Sequence, residues 1–289
     1  MKKPLFTGAC TALVTPFAGD EVNFPMLEAL IRRQIQGGIR ALVLCGTTGE
    51  AATLSDEEKL AVFRCGKYVE GSLIIAGTGS NSTAHAVELS RRAQDCGVDG
   101  LLVVSPYYNK ATPAGLTAHY RAIAQAVRIP ILLYNVPSRT GVDIPVSVYR
   151  ELSELPNIIG VKEASTDLGK IAQIRRECPE DFHIWCGSDA LTVPIMSLGG
   201  KGVISVASNL CPEKMQALCR AALEGDFPGA ATLQLELLDL MEALFLEVNP
   251  IPVKAAMKLL GYDCGSCRLP LTGLSPAHLD TLREALADH

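Results

Sequence analysis

The stretch Ile158-Ile159-Gly160-Val161-Lys162-Glu163-Ala164 places a lysine at the end of a run of β-formers. A strand of that composition is buried, and an ammonium buried with it is costly unless it is paired or deprotonated. As a free amine in an apolar interior, such a lysine can attack a carbonyl carbon and hold the product as a Schiff base, and a neighbouring cation favours that form. A second stretch of the same build lies upstream: Ile131-Leu132-Leu133-Tyr134 runs on through Asn135-Val136-Pro137-Ser138 to Arg139, Thr140 and Gly141. Tyr134 is a candidate proton carrier at a strand end, and the planar guanidinium of Arg139 suits a carboxylate. A third run ends in Cys45-Gly46-Thr47-Thr48-Gly49-Glu50. Its glycines let the backbone turn close to a ligand, and its two hydroxyls and N–H groups suit a carboxylate. A fourth ends in Ser105-Pro106-Tyr107-Tyr108-Asn109.

Each of these has a plainer reading. Lys162 could pair with a carboxylate or extend its amine to solvent, Gly46–Gly49 could be an ordinary glycine-rich turn, and the paired tyrosines could be packing. Glu163 is a poor partner for Lys162, because alternate side chains of a strand point to opposite faces.

The elements that must position these residues recur regularly. β-like runs fall at Ala9–Val14, Ala41–Cys45, Leu73–Ala76, Gly100–Val104, Ile131–Tyr134, Ile158–Lys162, His183–Cys186 and Gly202–Val206, with helically spaced apolar residues between them. Met26, Leu27, Leu30, Ile31 and Ile35 mark one helix before Gly37-Gly38, Ser55-Asp56-Glu57-Glu58 reads as a capping box, and Gly97 stops a helix over Val87–Cys96. Eight such β/α units predict an α/β protein with a (β/α)8 TIM barrel over residues 1–224, its active site at the C-terminal ends of the strands. Residues 225–289 read as a C-terminal helical extension, with segments at Gly229–Val248, Pro252–Leu260 and Pro276–Ala287 after Glu213–Glu224. The Leu233–Phe245 part is apolar around much of its circumference and must be covered by the barrel or by another subunit.

Composition narrows the function. The chain has 289 residues, 48% hydrophobic and 20% charged, with net charge −5 and no long basic block, which argues against nucleic acid or an anionic membrane as partner. No apolar run reaches membrane-spanning length and the N-terminus lacks a signal-peptide pattern, so a cytoplasmic protein is expected. The ten cysteines are read as reduced core thiols, and Cys264-Gly-Ser-Cys267 is half of a zinc pattern without its second half. The five histidines, His85, His119, His183, His278 and His289, show no metal spacing, and dinucleotide, P-loop and Gly-x-Ser-x-Gly fingerprints are incomplete or missing.

With Gly46-Thr47-Thr48-Gly49-Glu50, Tyr134-Asn135-Val136-Pro137 followed by Thr140-Gly141, and Lys162 in place, the chain resembles the dihydrodipicolinate synthase/N-acetylneuraminate lyase family from about Thr7 to Leu286. These are lysine-dependent, aldolase-type barrels. The resemblance implies that Lys162 forms an imine with C2 of pyruvate, with Gly46, Thr47 and Thr48 at the pyruvate carboxylate and Gly187 and Ile204 lining its pocket. Tyr134 would pass protons, linked through Thr47 to Tyr108 of a neighbouring subunit, so a homodimer or homotetramer is implied. Ser138-Arg139 and the Tyr107-Tyr108 doublet point to the branch that condenses pyruvate with aspartate semialdehyde, Arg139 binding the carboxylate of the latter. A sugar-acid aldolase using the same lysine, or a 2-oxo-acid sensor without turnover, are the alternatives. No cofactor and no metal are implied, since the iminium is itself the electron sink. Feedback-inhibited members bind lysine at the dimer interface. Asn81 and Tyr107 fit that site, but Ala51, His85, Asp56 and Lys59 replace its serine, glutamate and histidines, which implies weak or absent inhibition.

Overall fold

In a computed structural model, which describes residues 1–287 and leaves Asp288 and His289 outside, eight strands close into a parallel barrel. They are Gly8–Ala12, Ala41–Leu44, Leu73–Gly77, Gly100–Val104, Ile131–Asn135, Ile158–Glu163, His183–Cys186 and Gly202–Ser205, the first paired with both the second and the eighth. All eight expected β-runs are strands, with ends shifted by a residue or two. The first stops early because the Val14 N–H donates to the Asn209 side chain (3.2 Å) instead of a ladder partner.

Two apolar clusters follow from strand alternation. Side chains such as Ala41, Val43, Leu132, Tyr134, Trp185 and Ile204 fill the barrel interior, while Leu42, Leu44, Leu133 and Val161 face the surrounding helices. The sixth strand breaks this alternation once. Ile131 pairs with Ile158 but Leu132 pairs with Gly160, so the sixth strand carries one extra residue, a β-bulge. Ile159 and Lys162 therefore both point inward although they are three residues apart. Without the extra residue Lys162 would face the helices. Glycine is required at the bulge, because a Cβ on Gly160 would lie 2.0 Å from the His183 carbonyl oxygen.

The helices begin where side chains cap them. Asn23 accepts from the Met26 N–H to open Phe24–Gln36, and the capping box of Ser55 and Glu58 opens Asp56–Tyr68. The third helix runs Thr83–Asp95, earlier than the apolar spacing indicated, because Ser82 caps it, and Gly97 in the left-handed region (φ +79) follows it. A small antiparallel ladder, Phe17–Ala18 with Glu21–Val22, was not anticipated.

The expected helix Gly229–Val248 is corrected to two, Phe227–Glu236 and Leu238–Ala243, with Leu237 between them and turns from Leu244 onward. Its inner residues Leu237, Leu240, Met241 and Leu244 are buried in the same core as the barrel's outer face, whereas Leu235, Phe245 and Val248 stay exposed. Helices Ile251–Leu259 and Pro276–Ala287 share that core through Val253, Met257 and Leu282. All ten cysteines are free thiols, seven of them buried. Among the described residues no helix is long and apolar enough to cross a membrane.

Candidate active site

The barrel strands carry their polar end residues to one mouth, and a cavity of about 600 Å³ opens there. Gly46 and Thr47 line it from the second strand's loop, Tyr134 from the fifth strand, Arg139 from the short helix Pro137–Thr140, and Val248 and Asn249 from the C-terminal region.

Lys162 is buried, side by side with Tyr134 in the strand register, its Nζ 4.4 Å from the centre of the Tyr134 ring. Among the described residues it has no hydrogen bond and no carboxylate at ion-pair distance, so neither plainer reading of this lysine holds. Glu163 faces outward, as alternation requires. Its carboxylate accepts from Asn135 Nδ2 (2.8 Å), the Tyr149 hydroxyl (3.0 Å) and the Ser165 N–H (2.9 Å), with Lys170 Nζ at 3.8 Å. Burial, and then Glu163 beside it, push the Tyr149 hydroxyl well above the usual tyrosine range, so it stays a donor. The Gly187 turn lies directly against the lysine: a Cβ there would meet Ala164 Cβ at 2.7 Å and Lys162 Cε at 3.2 Å. Ile204 is buried in the barrel interior.

The Gly46–Gly49 turn is more than a connection. Cys45 and Glu50, which bracket it, both have positive φ (52 and 53), and Thr48 is buried with its hydroxyl accepting from Asn249 Nδ2 (2.9 Å). Glu50 is structural, as expected: Lys254 Nζ lies 2.6 Å from its Oε1 and the Arg268 N–H donates to its Oε2 (2.9 Å). Arg139 is exposed at the rim and donates to the Asn249 carbonyl (3.4 Å). Asn249 thus ties Thr48 and Arg139 together. It was not singled out in the sequence, where its one signal was the Asn-Pro turn pair before Pro250 in a region otherwise read as helical.

Of the residues matched to the regulatory site, all but Asn81 line the same cavity. Ala51, Lys59, His85 and Tyr107 are all part of its wall. The Asp56 carboxylate is held by Lys59 Nζ (3.3 Å) and His85 Nε2 (2.8 Å), and His85 Nδ1 lies 3.1 Å from the Ser80 hydroxyl. Asn81 contributes its carbonyl to the Asn109 side chain (2.9 Å). Tyr108 stands apart from its own cavity, 89% exposed with φ 74. Among the described residues no group of three or more His, Cys, Asp or Glu side chains could hold a metal ion.

A parallel barrel with a lone interior lysine at its C-terminal mouth defines the lysine-dependent aldolase class of barrel enzyme. The model of the dihydrodipicolinate synthetase family matches residues 5–289, and the chain belongs to that family. It is 49% identical over 284 residues to the 4-hydroxy-tetrahydrodipicolinate synthase of Methanosarcina mazei, covering 98% of each chain. It is 46% identical over 291 residues to that of Acetivibrio thermocellus, covering 100% of this chain and 99% of the relative. The solved 4-hydroxy-tetrahydrodipicolinate synthase of Methylacidiphilum fumariolicum SolV superposes with a TM-score of 0.96 at 44% identity, over 98% of this chain and 95% of that one.

Proposed function

We propose that this chain condenses pyruvate with L-aspartate 4-semialdehyde to give 4-hydroxy-tetrahydrodipicolinate, a step toward diaminopimelate and lysine. The observation that carries the reading is Lys162: buried, uncompensated by a carboxylate, packed on Tyr134 at the mouth where Thr47 and Arg139 stand. The names of full-length relatives point the same way.

The chemistry follows from the side chains. The free amine of Lys162 adds to C2 of pyruvate, takes up a proton and loses water, leaving a cationic imine. The cation withdraws electrons from C3, so a proton leaves C3 and an enamine forms. Its C3 bonds to the aldehyde carbon of the second substrate, whose oxygen takes a proton, and the imine returns. The amino group of that substrate then attacks C2, closes the ring and expels the Lys162 amine. Tyr134, beside Lys162, is placed to carry protons through these steps, with Thr47 at the same mouth. Thr48 and the N–H groups of the Gly46 turn suit the pyruvate carboxylate, with Gly187 and Ile204 bounding the pyruvate pocket. Arg139 offers a bidentate fork to the carboxylate of aspartate semialdehyde.

Tyr108, turned away from its own cavity, is read as completing the site of a second copy, so the working form is a dimer or a tetramer. Ten unbridged cysteines fit a reducing compartment, the cytoplasm.

Borohydride reduction in the presence of pyruvate, with intact mass and peptide mapping, tests this reading. A pyruvyl adduct on Lys162 that disappears in Lys162→Ala is expected. A folded protein without adduct would move the binding-only alternative to the front. Turnover of sugar acids without condensation on aspartate semialdehyde would favour the sugar-acid aldolase.

A further inference from the structure

Imine formation fixes a positive charge on Lys162 inside an apolar barrel, and a buried charge of that kind demands a counter-charge or strong hydrogen bonds. The carboxylates bordering the region are mostly committed elsewhere: Glu163 faces outward among its donors, and Glu50 is paired with Lys254. Asp189 is different. It opens the single helical turn Asp189–Leu191, two residues beyond Gly187, whose backbone lies against the Lys162 side chain, and is 3% exposed. Its Oδ2 accepts from the N–H groups of Val206 (2.9 Å) and Ala207 (3.0 Å), which follow the eighth strand. Its Oδ1 is buried and has no hydrogen-bond partner among the described residues. The backbone donors fix this carboxylate between the ends of the seventh and eighth strands and leave one oxygen bare.

We propose that Asp189 is the counter-charge for the cationic imine on Lys162, a positioning residue that stabilises that state across the barrel mouth without touching substrate. Burial raises its carboxyl pKa, opposed by the Ser205 hydroxyl and the N–H groups of Ala207 and Val206 and, least, by Lys162. A carboxylate held by two N–H groups keeps its place when the cation forms, and its bare oxygen needs no donor withdrawn to meet the charge.

The proposal rests on the imine reading, and the experiment separates the two. The wild-type enzyme must first trap a pyruvyl adduct; failure there counts against the imine, not against Asp189. Asp189→Asn keeps an acceptor for Val206 and Ala207 and removes the charge. The pyruvate concentration that half-saturates borohydride trapping should rise about tenfold or more, a size fitting one buried charge pair, while KM for aspartate semialdehyde stays unchanged. Unchanged half-saturation, or equal loss for both substrates, would overturn the proposal. Should that variant not fold, infrared difference spectra of the otherwise native enzyme carrying carboxyl-labelled aspartate give a second reading. Addition of pyruvate should shift an aspartate carboxyl band, and the shift should be absent in Lys162→Ala. No pyruvate-dependent shift would overturn the proposal.

Discussion

The nucleophile role proposed for Lys162 requires its chain to reach the mouth of the barrel along one path, and Gly187 lies against that path. A methyl group there would press on Ala164 Cβ at 2.7 Å and on the Glu163 carbonyl at 3.0 Å, both inside ordinary contact, and on Lys162 Cε at 3.2 Å. Gly187→Ala should therefore displace the lysine: borohydride trapping with pyruvate should slow by an order of magnitude or more, while thermal unfolding stays cooperative. Trapping at the wild-type rate would show that the lysine does not need this space. At this scale the sequence was informative where a residue type was out of place, as a lysine closing an apolar strand is. Asn249 and Asp189 carried no such mark. Their importance arises from partners far along the chain, Thr48 in one case and the Val206–Ala207 backbone in the other.

At the scale of elements, the bulge in the sixth strand decides which way the lysine faces. Gly160→Ala would place a Cβ 2.0 Å from the His183 carbonyl, so the strand must either part from its neighbour or lose the extra residue. Adduct formation should be lost, and the variant should melt several degrees lower, about what 1–3 kcal/mol of overpacking costs. Wild-type trapping in that variant would contradict the role given to the bulge. The second helix offers a pH test. Glu58 closes its capping box and also binds Arg268 Nη2 (2.5 Å), fastening the C-terminal loop to that helix. The Arg268 hydrogen bond, chiefly, holds the Glu58 carboxyl down to about 2 from the ordinary 4.5. The folded state thus favours the ionised form. Its contribution is complete above 4.5 and is lost as pH falls toward 2. Tm measured between pH 6 and about 3 should fall less steeply in Glu58→Gln than in wild type, and parallel acid limbs would refute this. The start of the second helix was legible because its capping box is local chemistry, whereas the Ser82 cap of the third was not read. The two-residue ladder at Phe17–Ala18 is too short to show alternation, and the interruption at Leu237 leaves no gap in the apolar pattern.

For the whole molecule, the helices after residue 224 and the barrel are fastened by charge as well as by shared core. Lys254 and Glu50 form a buried pair 204 residues apart in sequence. Lys254→Met would leave the Glu50 carboxylate without its cation and should cost about 3–5 kcal/mol. Urea unfolding reads this directly, and a loss under 1 kcal/mol would mean that the Arg268 N–H alone suffices. The cavity wall around Asp56 makes a second prediction. Asp56 is already held by Lys59 and His85, and Lys59 would repel another ammonium. L-lysine should inhibit weakly or not at all, and inhibition at millimolar concentration or below would sink this. The barrel itself was plain from eight β-runs alternating with helices, since that repeat depends only on local periodicity. Where the C-terminal helices come to rest depends on pairs such as Lys254 with Glu50, which no local pattern announces.

The buried cysteines give the molecule an internal record of its own opening. Burial raises Cys178 and Cys264 to about 11 and Cys186 and Cys211 to about 12, so in the native state these sulfurs are shielded and almost wholly unionised. They sit at the end of helix Leu168–Glu177, in the C-terminal loop, on the seventh strand and just before helix Pro212–Leu223, each in a different part of the chain. Alkylation in graded denaturant, followed by peptide mapping, would therefore date the exposure of each part separately, with no label engineered into the chain.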